Sequence, residues 1–295
     1  MIKYVENFDD YDLLDSGDNE KIERFGDYIL KRPDPQAIWH PKDFKKYKLD
    51  AIYHRSKAGG GSWEFINLPK KWTINYELAK GARLSFNLKP FTFKHTGLFP
   101  EQAVNWKFIY KFCSDKARSG DEVKILNLFA YTGAATLAAA KAKAKVTHVD
   151  ASKGILTWAK ENADLSEIGS DRIRWIVDDC KKFVEREIRR KSLYDGIIMD
   201  PPSYGRGAKG EVWKIESDIY DFLSLTYKIL KKKDSFLMLN SYTTGLQTGV
   251  MDYMVKDLAK ANGFTGESMP YELGLLCKST GLLLPEGSTI VFKTQ

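Results

Sequence analysis

Three aspartates occupy the positions in this sequence where chemistry is most readily expected. Asp150, Asp179 and Asp200 each follow a short apolar run that predicts a buried β-strand. The carboxyl ends of parallel strands meet at one edge of a sheet, and open α/β sheets bind their ligands there. We therefore expect the three carboxylates to line one crevice, where they can accept hydrogen bonds from hydroxyl or amino groups.

The segment from Lys124 to Asp150 has the order of the first half of a nucleotide-binding βαβ unit. The apolar run Ile125 to Phe129 predicts a strand, a turn ending at Gly133 follows, and an alanine-rich stretch predicts a helix. A second strand, Val146 to Val149, leads into Asp150. In such a unit the glycine lets the backbone approach a ligand, and the acid accepts hydrogen bonds from ribose hydroxyls.

The glycine content of this turn separates two classes of nucleotide. A dinucleotide site uses G-x-G-x-x-G because a pyrophosphate must lie against bare backbone at a helix N-terminus. Here the turn contains one glycine, Gly133. S-adenosylmethionine carries an adenosine but no phosphate, so a single glycine, which lets the backbone approach the ligand at one point, is enough to bind it. A structural βα turn that binds nothing remains the alternative on these residues alone.

Asp200 is followed by two prolines, which make the loop after its strand rigid. Pro201 and Pro202 fix two φ angles and remove two N–H donors, so the carbonyls are expected to remain free to accept. A carboxylate beside rigid acceptors can hold an amino or ring N–H group in plane next to a methyl donor. Methyl transfer from a sulfonium is an in-line displacement that depends on positioning and needs no metal. We predict Asp200, Pro201 and Pro202 as catalytic residues. The predicted substrate contacts follow them: Ser203, Tyr204 and Arg206.

Strands and helices alternate from Lys124 onward at the spacing of an open, doubly wound sheet. Helices are expected from Ser152 to about Asn162, from Cys180, from about Trp213 to Leu230, and from about Val250 to Ala261. Further strands are expected at Ile173 to Val177, Tyr194 to Met199, Ser235 to Asn240, Tyr271 to Cys277 and Thr289 to Lys293. The last two are predicted to form a hairpin. The fold class is therefore α/β, a mostly parallel Rossmann-like methyltransferase sheet with an antiparallel last strand.

Residues 1–88 are predicted to form a separate, small, mostly-β domain, with residues 89–295 forming the methyltransferase domain. Within residues 1–88, short segments with β-strand propensity alternate with proline and glycine. Its middle is rich in basic and aromatic residues: Lys31, Arg32, Lys42, Lys45, Lys46, Lys48, Arg55, Lys57, Trp39, Tyr47 and Tyr53. Cations and flat rings suit RNA, whose phosphates they neutralise and whose bases they stack on. A solvated basic face beside ordinary core aromatics fits the same residues equally well.

A bridge joins the two predicted domains. Pro100 suits the first turn of a helix, which is expected to continue to about Phe112. His95 lies in the loop before it, and we interpret this lone histidine as a packing residue rather than an acid or base.

Composition narrows the class of protein. The chain has 295 residues, of which 43% are hydrophobic and 29% charged, so a sizeable core is expected. The net charge of +7 favours a polyanionic partner. Cys113, Cys180 and Cys277 are widely spaced, which indicates neither disulfides nor a metal site. No apolar run reaches membrane-spanning length, so we expect a cytoplasmic protein without a membrane partner, either a monomer or a homodimer.

Several segments together resemble one enzyme family. LNLFAYTGAATLAAA, VTHVDASK, WAKENA, RWIVDDCKKFVERE and YDGIIMDPPSYGRG are similar to the S-adenosylmethionine-dependent methyltransferases related to the bacterial 23S ribosomal RNA enzymes, which act at cytosine C5 or guanine N7. LLDSGDNEKIERFGDYILKRPDPQAIW and FKHTGLFPEQAVNW extend the resemblance over most of the chain. The resemblance implies these cofactor contacts: Gln102, Phe129, Tyr131, Thr132, Gly133, Asp150 for the ribose and Asp179 for the adenine. It also places Asp200 and Pro201 at the target base.

Two departures from the family pattern matter. The family usually closes the helix before its second strand with a glycine in a left-handed conformation, whereas this chain has the segment Lys141 to Lys145. Methylation of cytosine C5 requires a cysteine thiolate, which C5-specific relatives place just after the fifth strand. Here Leu239 to Thr243 contains no cysteine. We therefore favour a nitrogen acceptor, which already has a lone pair.

Three functions remain open at this point. The first is a methyltransferase that acts on a ribosomal RNA base. The second is a methyltransferase for a protein or a small molecule, against which the basic N-terminal segment argues only weakly. The third is a non-catalytic RNA-binding protein, against which the presence of all three aspartates argues.

Overall fold

The computed structural model describes residues 1–56, 60–91, 93–206 and 212–295. The chain divides into two compact units. The larger unit consists of residue 1 with residues 105–272 and 287–295, and the smaller unit of residues 2–104 and 273–286. The predicted domain boundary between residues 88 and 89 stays a prediction.

The described residues form the following strands, in chain order: β1 (Ile2–Lys3), β2 (Tyr11–Gly17), β3 (Glu20–Phe25), β4 (Tyr28–Pro33), β5 (Ala51–Arg55), β6 (Gly61–Phe65), β7 (Trp72–Ala79), β8 (Ala82–Leu88), β9 (Lys124–Leu128), β10 (Lys145–Asp150), β11 (Ile173–Val177), β12 (Gly196–Met199), β13 (Tyr204–Arg206), β14 (Val212–Lys214), β15 (Phe236–Ser241), β16 (Gly266–Leu276) and β17 (Leu283–Thr294). The helices are α1 (Ala103–Arg118), α2 (Ala134–Lys141), α3 (Lys153–Leu165), α4 (Cys180–Arg189), α5 (Ile215–Tyr227) and α6 (Thr248–Ala261). Short 3₁₀ helices lie at Phe44–Lys46 and Pro100–Gln102.

A mostly parallel sheet forms the centre of the larger unit. Its strands lie in the order β16-β17-β15-β12-β9-β10-β11. The five strands β15, β12, β9, β10 and β11 are parallel, and β17 is antiparallel to β15. The predicted Rossmann-like, mostly parallel sheet with an antiparallel last strand is therefore confirmed.

The central strands are apolar because helices cover both faces of a parallel sheet. All residues of β12 and β15 are buried. Leu126, Ile197, Met199 and Leu239 belong to one apolar cluster that also contains side chains of α4, α5 and α6, such as Phe222.

Local sequence signals predicted several boundaries correctly and others incorrectly: α1 continues to Arg118 instead of ending near Phe112, and β16 and β17 begin at Gly266 and Leu283, earlier than predicted. Strand β11 and the start of α4 lie where the sequence predicts them, and the Ser152 hydroxyl caps α3 by accepting the Ile155 N–H at 3.3 Å. The helix expected from Trp213 begins instead at Ile215. Trp213 belongs to β14, which pairs with β13 in antiparallel register. Residues 207–211 lie outside the described residues.

The smaller unit is rich in β-structure, as predicted. One sheet has the order β2-β3-β4-β5-β6, and β7 and β8 form a separate antiparallel pair. Opposite charges neutralise one another in its interior, where Arg32 lies 2.7 Å from Glu23 and Lys21 lies 2.5 Å from Glu286. Burial raises the pKa of Glu286 to about 8, which the attraction of Lys21 opposes.

Helix α2 ends without the glycine that its relatives use. Lys143 takes the left-handed position, with a φ angle of 69°. The Ala144 N–H donates to the Ala139 carbonyl at 3.2 Å, which is the hydrogen bond that a left-handed cap permits. A side chain in this conformation costs about 1–2 kcal/mol.

We predict that Lys143→Gly raises the free energy of unfolding by about 0.5–1 kcal/mol, because glycine relieves this backbone strain. Thermal and denaturant unfolding measure the change. The matched control is Lys160→Gly, which removes an exposed lysine from the middle of α3 and should lower the free energy of unfolding by about 1 kcal/mol. Equal losses in both variants would contradict the prediction.

Candidate active site

The turn after β9 contains three residues in left-handed conformations. Phe129, Tyr131 and Gly133 have φ angles of 54°, 49° and 92°, which cost the two non-glycine residues about 1–2 kcal/mol each. The Ala130 N–H donates to the Val149 carbonyl at 3.1 Å, and the Gly133 N–H donates to the Ala130 carbonyl at 3.0 Å. The conformation of the turn therefore depends on hydrogen bonds to β10.

Asp150, the last residue of β10, holds this turn with its side chain. One carboxylate oxygen accepts the Tyr131 N–H at 3.0 Å, and the other accepts the Ser152 N–H at 2.8 Å. Burial raises the pKa of Asp150, and the two backbone hydrogen bonds oppose the rise. A carboxylate has about four acceptor sites, so about two remain after these bonds. This spare capacity fits the two neighbouring hydroxyls of a ribose.

The two aspartates after β11 have different partners. The Asp178 carboxylate accepts the Asp179 N–H and pairs with Arg186. Asp179 caps α4 by accepting the Lys182 N–H at 2.9 Å through Oδ1. Its other oxygen makes no hydrogen bond to the residues that the structure describes. Asp179 therefore has an acceptor to offer a ligand, such as an adenine amino group.

A buried chain of polar side chains lies beneath the turn, and sequence reasoning missed it. The Asn127 amide donates to Thr136 Oγ1 at 2.9 Å, and Thr136 Oγ1 lies 3.0 Å from His148 Nδ1. Burial lowers the pKa of His148 to about 3, so its ring is neutral. The Thr136 hydroxyl can either donate to Nδ1 or accept from it, and Nε2 of His148 is buried without a hydrogen-bond partner among the described residues. The available signal was the presence of two polar residues, Asn127 and His148, inside apolar strands.

Gly133 is required by packing as well as by its φ angle. A β-carbon added to it would lie 3.2 Å from Ala159 Cβ on α3 and 3.6 Å from His148 Cε1. Next to it, the Thr132 carbonyl accepts the Asn162 amide at 3.0 Å, so α3 holds the turn at a second point. Contact of Thr132 and Gly133 with a cofactor stays a prediction.

Phe129 is turned toward α5. Its ring centroid lies 5.6 Å from that of Phe222 and 5.2 Å from that of Trp213. Its N–H donates to Cys180 Sγ at 3.3 Å, which ties the turn to the start of α4. Cys180 is therefore a structural partner of the turn that sequence reasoning did not assign.

The carbonyls after Asp200 are less free than the sequence suggests. The Pro202 carbonyl accepts the Trp213 indole N–H at 2.7 Å, and the Ser203 carbonyl accepts the Ile215 N–H at 3.1 Å. This corrects the expectation that the prolines leave their carbonyls free. Pro201 is buried, and its carbonyl oxygen accepts no hydrogen bond within the described part of the chain. Of the carbonyls of Pro201, Pro202 and Ser203, the one next to Asp200 is therefore available as an acceptor.

The loops that follow β12 and β15 are tied together. Ser203 Oγ and Thr243 Oγ1 lie 2.5 Å apart, and the Thr243 N–H donates to Ser241 Oγ at 3.1 Å. Met199 pairs with Leu239 in the sheet, so the residues that follow them leave the sheet side by side. The structure thus places Ser203 next to the segment where C5-specific relatives have their cysteine.

A second buried network supports β15 from the side. The Asn105 amide of α1 donates to Asn240 Oδ1 at 3.0 Å and to Thr289 Oγ1 at 3.2 Å. The Thr289 hydroxyl donates to Asn240 Oδ1 at 2.8 Å, and the Tyr271 hydroxyl donates to Asn105 Oδ1 at 2.5 Å. The end of β15 is therefore fixed by polar contacts to α1, β16 and β17.

The other predicted site residues are placed as follows. Tyr204 begins β13 and is half exposed. Arg206 ends β13, and its side chain lies outside the described residues. Gln102 is buried at the end of the 3₁₀ helix Pro100–Gln102, which belongs to the smaller unit. The His95 ring packs against Phe99 in a tilted arrangement, with 5.1 Å between the ring centroids, and burial lowers the pKa of His95 to about 3, which agrees with a packing role.

The described residues contain no group of three or more histidines, cysteines, aspartates or glutamates that could hold a metal ion. Cys113, Cys180 and Cys277 are buried free thiols. No helix within the described ranges is both long and apolar enough to cross a membrane.

Comparison with known proteins gives the family. The model of the S-adenosylmethionine-dependent methyltransferase family matches residues 54–218, which is more than half of the chain. A crystal structure of the SAM-dependent methyltransferase from Agrobacterium tumefaciens is 34% identical, with a TM-score of 0.90, and the match covers 99% of this chain and 93% of that one. Trm5b from Pyrococcus abyssi has the same fold, with 14% identity and a TM-score of 0.54 over 98% of this chain and 75% of that one.

Curated relatives are named for ribosomal RNA. The ribosomal RNA large subunit methyltransferase K/L of Shewanella amazonensis is 30% identical over 257 residues, which cover 80% of this chain and 35% of that protein. The corresponding enzyme of Pseudoalteromonas translucida is 34% identical over 163 residues, covering 55% of this chain and 21% of that protein. The chain thus spans about a fifth to a third of the length of these relatives.

Proposed function

Because this chain belongs to the family of S-adenosylmethionine-dependent methyltransferases, we propose that it methylates a nitrogen of a ribosomal RNA base. The observation that supports the nitrogen acceptor is the exit of β12, where the Asp200 carboxylate is followed by the Pro201 carbonyl. An amino group has two N–H donors, and these two neighbouring acceptors suit it.

The residues that follow β12 are proposed to position the amino group and then to accept its proton. Asp200 and Pro201 would each accept one N–H of the amino group and so hold its nitrogen in one orientation. Pro202 and Trp213 keep the loop rigid through their hydrogen bond. Asp200 would take the proton that the nitrogen loses, as a general base. Ser203, Tyr204 and Arg206 are proposed to contact the rest of the substrate.

The cofactor is S-adenosylmethionine, which supplies an electrophilic methyl group on its sulfonium when it is bound. We assign its ribose hydroxyls to Asp150 and its adenine amino group to Asp179, since both carboxylates keep acceptor capacity beyond their backbone bonds. The remaining proposed contacts are Gln102, Phe129, Tyr131, Thr132 and Gly133.

The cysteines support a nitrogen acceptor over cytosine C5. Attack on cytosine C6 requires an accessible thiolate. Burial raises the pKa of Cys113 and of Cys180, so both stay as thiols at neutral pH. Cys277 is buried in the smaller unit, and Leu239 to Thr243 has only hydroxyl, amide and apolar side chains.

RNA is the acceptor that two independent features favour. Curated relatives bear ribosomal RNA in their names, and the chain has a net charge of +7. A ribosomal RNA acceptor would place the enzyme in the cytoplasm. A protein or small-molecule acceptor and a non-catalytic RNA-binding role are the alternatives, and the intact set of Asp150, Asp179 and Asp200 weighs against the second of these.

We also propose that a basic loop of the smaller unit, residues 39–48, contacts RNA phosphates. Lys42, Lys45, Lys46 and Lys48 are exposed, and within the described part of the chain none pairs with a carboxylate. Other basic residues of the predicted RNA-binding set are engaged elsewhere: Arg32 pairs with buried Glu23, and Lys31 pairs with Glu20 at 2.9 Å. Lys57 lies outside the described residues.

The basic loop is held in a fixed shape by a buried acid. Asp15 is fully buried, and its carboxylate accepts the Asp43 N–H at 3.0 Å and the Ser279 hydroxyl at 2.7 Å. The Tyr47 hydroxyl donates to the Leu14 carbonyl at 3.1 Å. Four cations on an anchored loop lose little entropy on binding, which favours phosphate contacts over a merely solvated surface.

Asp200→Ala is expected to lower methyl transfer from labelled S-adenosylmethionine to ribosomal RNA by at least about 100-fold, because it removes the proposed base and positioning acceptor. Calorimetry should show nearly unchanged cofactor binding. Asp221→Ala, which removes an exposed carboxylate from α5, serves as the control and should transfer normally. Equal loss of transfer and cofactor binding in Asp200→Ala would show that the role of Asp200 is wrongly assigned.

Replacing the four lysines of the basic loop by glutamine should raise KM for RNA about 10-fold or more and flatten its dependence on salt. Each lost phosphate contact reduces the slope of log K against log[salt] by about 0.7–1. Cofactor affinity should not change. The control replaces four exposed lysines of the larger unit, Lys160, Lys228, Lys233 and Lys260, which removes the same charge. The same effect in both variants would mean that net charge alone, and not this loop, attracts RNA.

A further inference from the structure

Tyr242 follows β15, and its ring lies against the backbone of Gly287. Tyr242 is 39% exposed. A β-carbon added to Gly287 would lie 2.8 Å from Cε1 and 3.0 Å from Cδ1 of its ring, closer than any side chain tolerates. Ser241 pairs with Ser288 in the sheet, which brings Gly287 next to Tyr242. The absence of a side chain at position 287 therefore sets where the ring of Tyr242 lies.

The loop that carries Tyr242 is fixed relative to the loop after Asp200. Thr243 follows Tyr242 directly and meets Ser203 at 2.5 Å between the hydroxyl oxygens. The two strands β12 and β15 end side by side, with Met199 paired to Leu239. Met199 and Leu239 both belong to the cluster that contains α4, α5 and α6 side chains, and alternation along β15 directs Asn240 to the opposite face.

Hydrogen bonds at one edge do not fully orient a base. Two acceptors can hold an amino group while the ring remains able to tilt about the line that joins them. Contact with the face of the ring removes this freedom, and an aromatic side chain gives such contact to any base because every base has a π face. A half-exposed ring on a loop that is tied to the loop after Asp200 is the kind of group that could supply it.

We propose that Tyr242 stacks on the acceptor base that Asp200 and Pro201 hold, and that Gly287 exists to seat its ring. This inference rests on the proposed function, since it requires a planar base as acceptor. It assigns to the segment after β15 a positioning role in place of the nucleophilic role that a cysteine has there in C5-specific relatives.

The test compares methyl transfer to ribosomal RNA in five single variants of the full chain and in the wild type. Tyr242→Ala should lower kcat/KM for RNA by about 10- to 100-fold, and Tyr242→Phe should keep most of the activity because stacking does not need the hydroxyl. Gly287→Ala should also lower kcat/KM, because the new methyl group displaces the ring. Tyr253→Ala removes a more exposed tyrosine from α6, and Gly249→Ala adds a methyl group in open space, so both should match the wild type.

The double variant Tyr242→Ala/Gly287→Ala gives the sharpest result. Once the ring is absent, the alanine at position 287 has nothing to displace, so the double variant should be no worse than Tyr242→Ala. Cofactor affinity and melting temperature should stay near those of the wild type in every variant. If Tyr242 had a purely structural role, its loss would instead lower kcat/KM for RNA, cofactor affinity and melting temperature together.

The outcomes separate this inference from the proposed function. RNA methylation by the wild type with full activity in Tyr242→Ala would overturn the stacking role and leave the proposed function standing. Additive losses in the double variant would overturn the role of Gly287. Absence of RNA methylation by the wild type, with cofactor binding intact, would overturn the proposed function and this inference with it.

Discussion

The two hydrogen bonds that the Asp150 carboxylate accepts from backbone N–H groups hold together the turn that we propose as the cofactor site. They connect the end of β10 with the turn after β9, through Tyr131, and with the start of α3, through Ser152. The left-handed conformations of Phe129 and Tyr131 cost about 1–2 kcal/mol each. Hydrogen bonds to a charged group contribute about 1.5–3 kcal/mol each, so these two can offset that strain.

This arrangement allows one side chain both to build the turn and to fill its proposed role of binding a ribose. The backbone bonds use part of the acceptor capacity of Asp150 and set the direction of the remainder. Beneath the turn, the chain of Asn127, Thr136 and neutral His148 carries no net charge, so it adds no like charge or counter-ion close to the carboxylate. Binding therefore depends on a preformed acceptor on a turn that the protein itself stabilises.

The proposed substrate end of the site follows a similar rule, because two carbonyls of the loop after Asp200 are used internally. Trp213 binds the Pro202 carbonyl, Ile215 binds the Ser203 carbonyl, and Ser203 is tied to Thr243. These contacts make the loop rigid, while the Pro201 carbonyl accepts no hydrogen bond from the described residues. Rigid positioning is the main contribution that a protein can make to an in-line displacement.

Features with a local cause could be predicted from the sequence. Strand β11, the acids after it and the cap at Ser152 are set by apolar runs and by side chains that bond to their own neighbours. The need for a left-handed residue after α2 was equally local, and Lys143 fills that position.

Features that depend on partners distant in the chain could not be predicted. Trp213 continues the apolar pattern of α5, but its indole bonds to Pro202 and draws it into the β13–β14 pair. The use of the Pro202 carbonyl follows from the same contact. The packing of Gly133 against Ala159 and the approach of Tyr242 to Gly287 are also tertiary, and no spacing in the sequence encodes them.

The identity of the methylated nucleoside tests the central claim most directly. Ribosomal RNA would be labelled with S-adenosylmethionine carrying an isotopic methyl group, digested to nucleosides and analysed by mass spectrometry. The account predicts that the label appears in a single nucleoside with the methyl group on an amino nitrogen. Label in 5-methylcytidine, or no label in RNA while the enzyme still binds its cofactor, would contradict it.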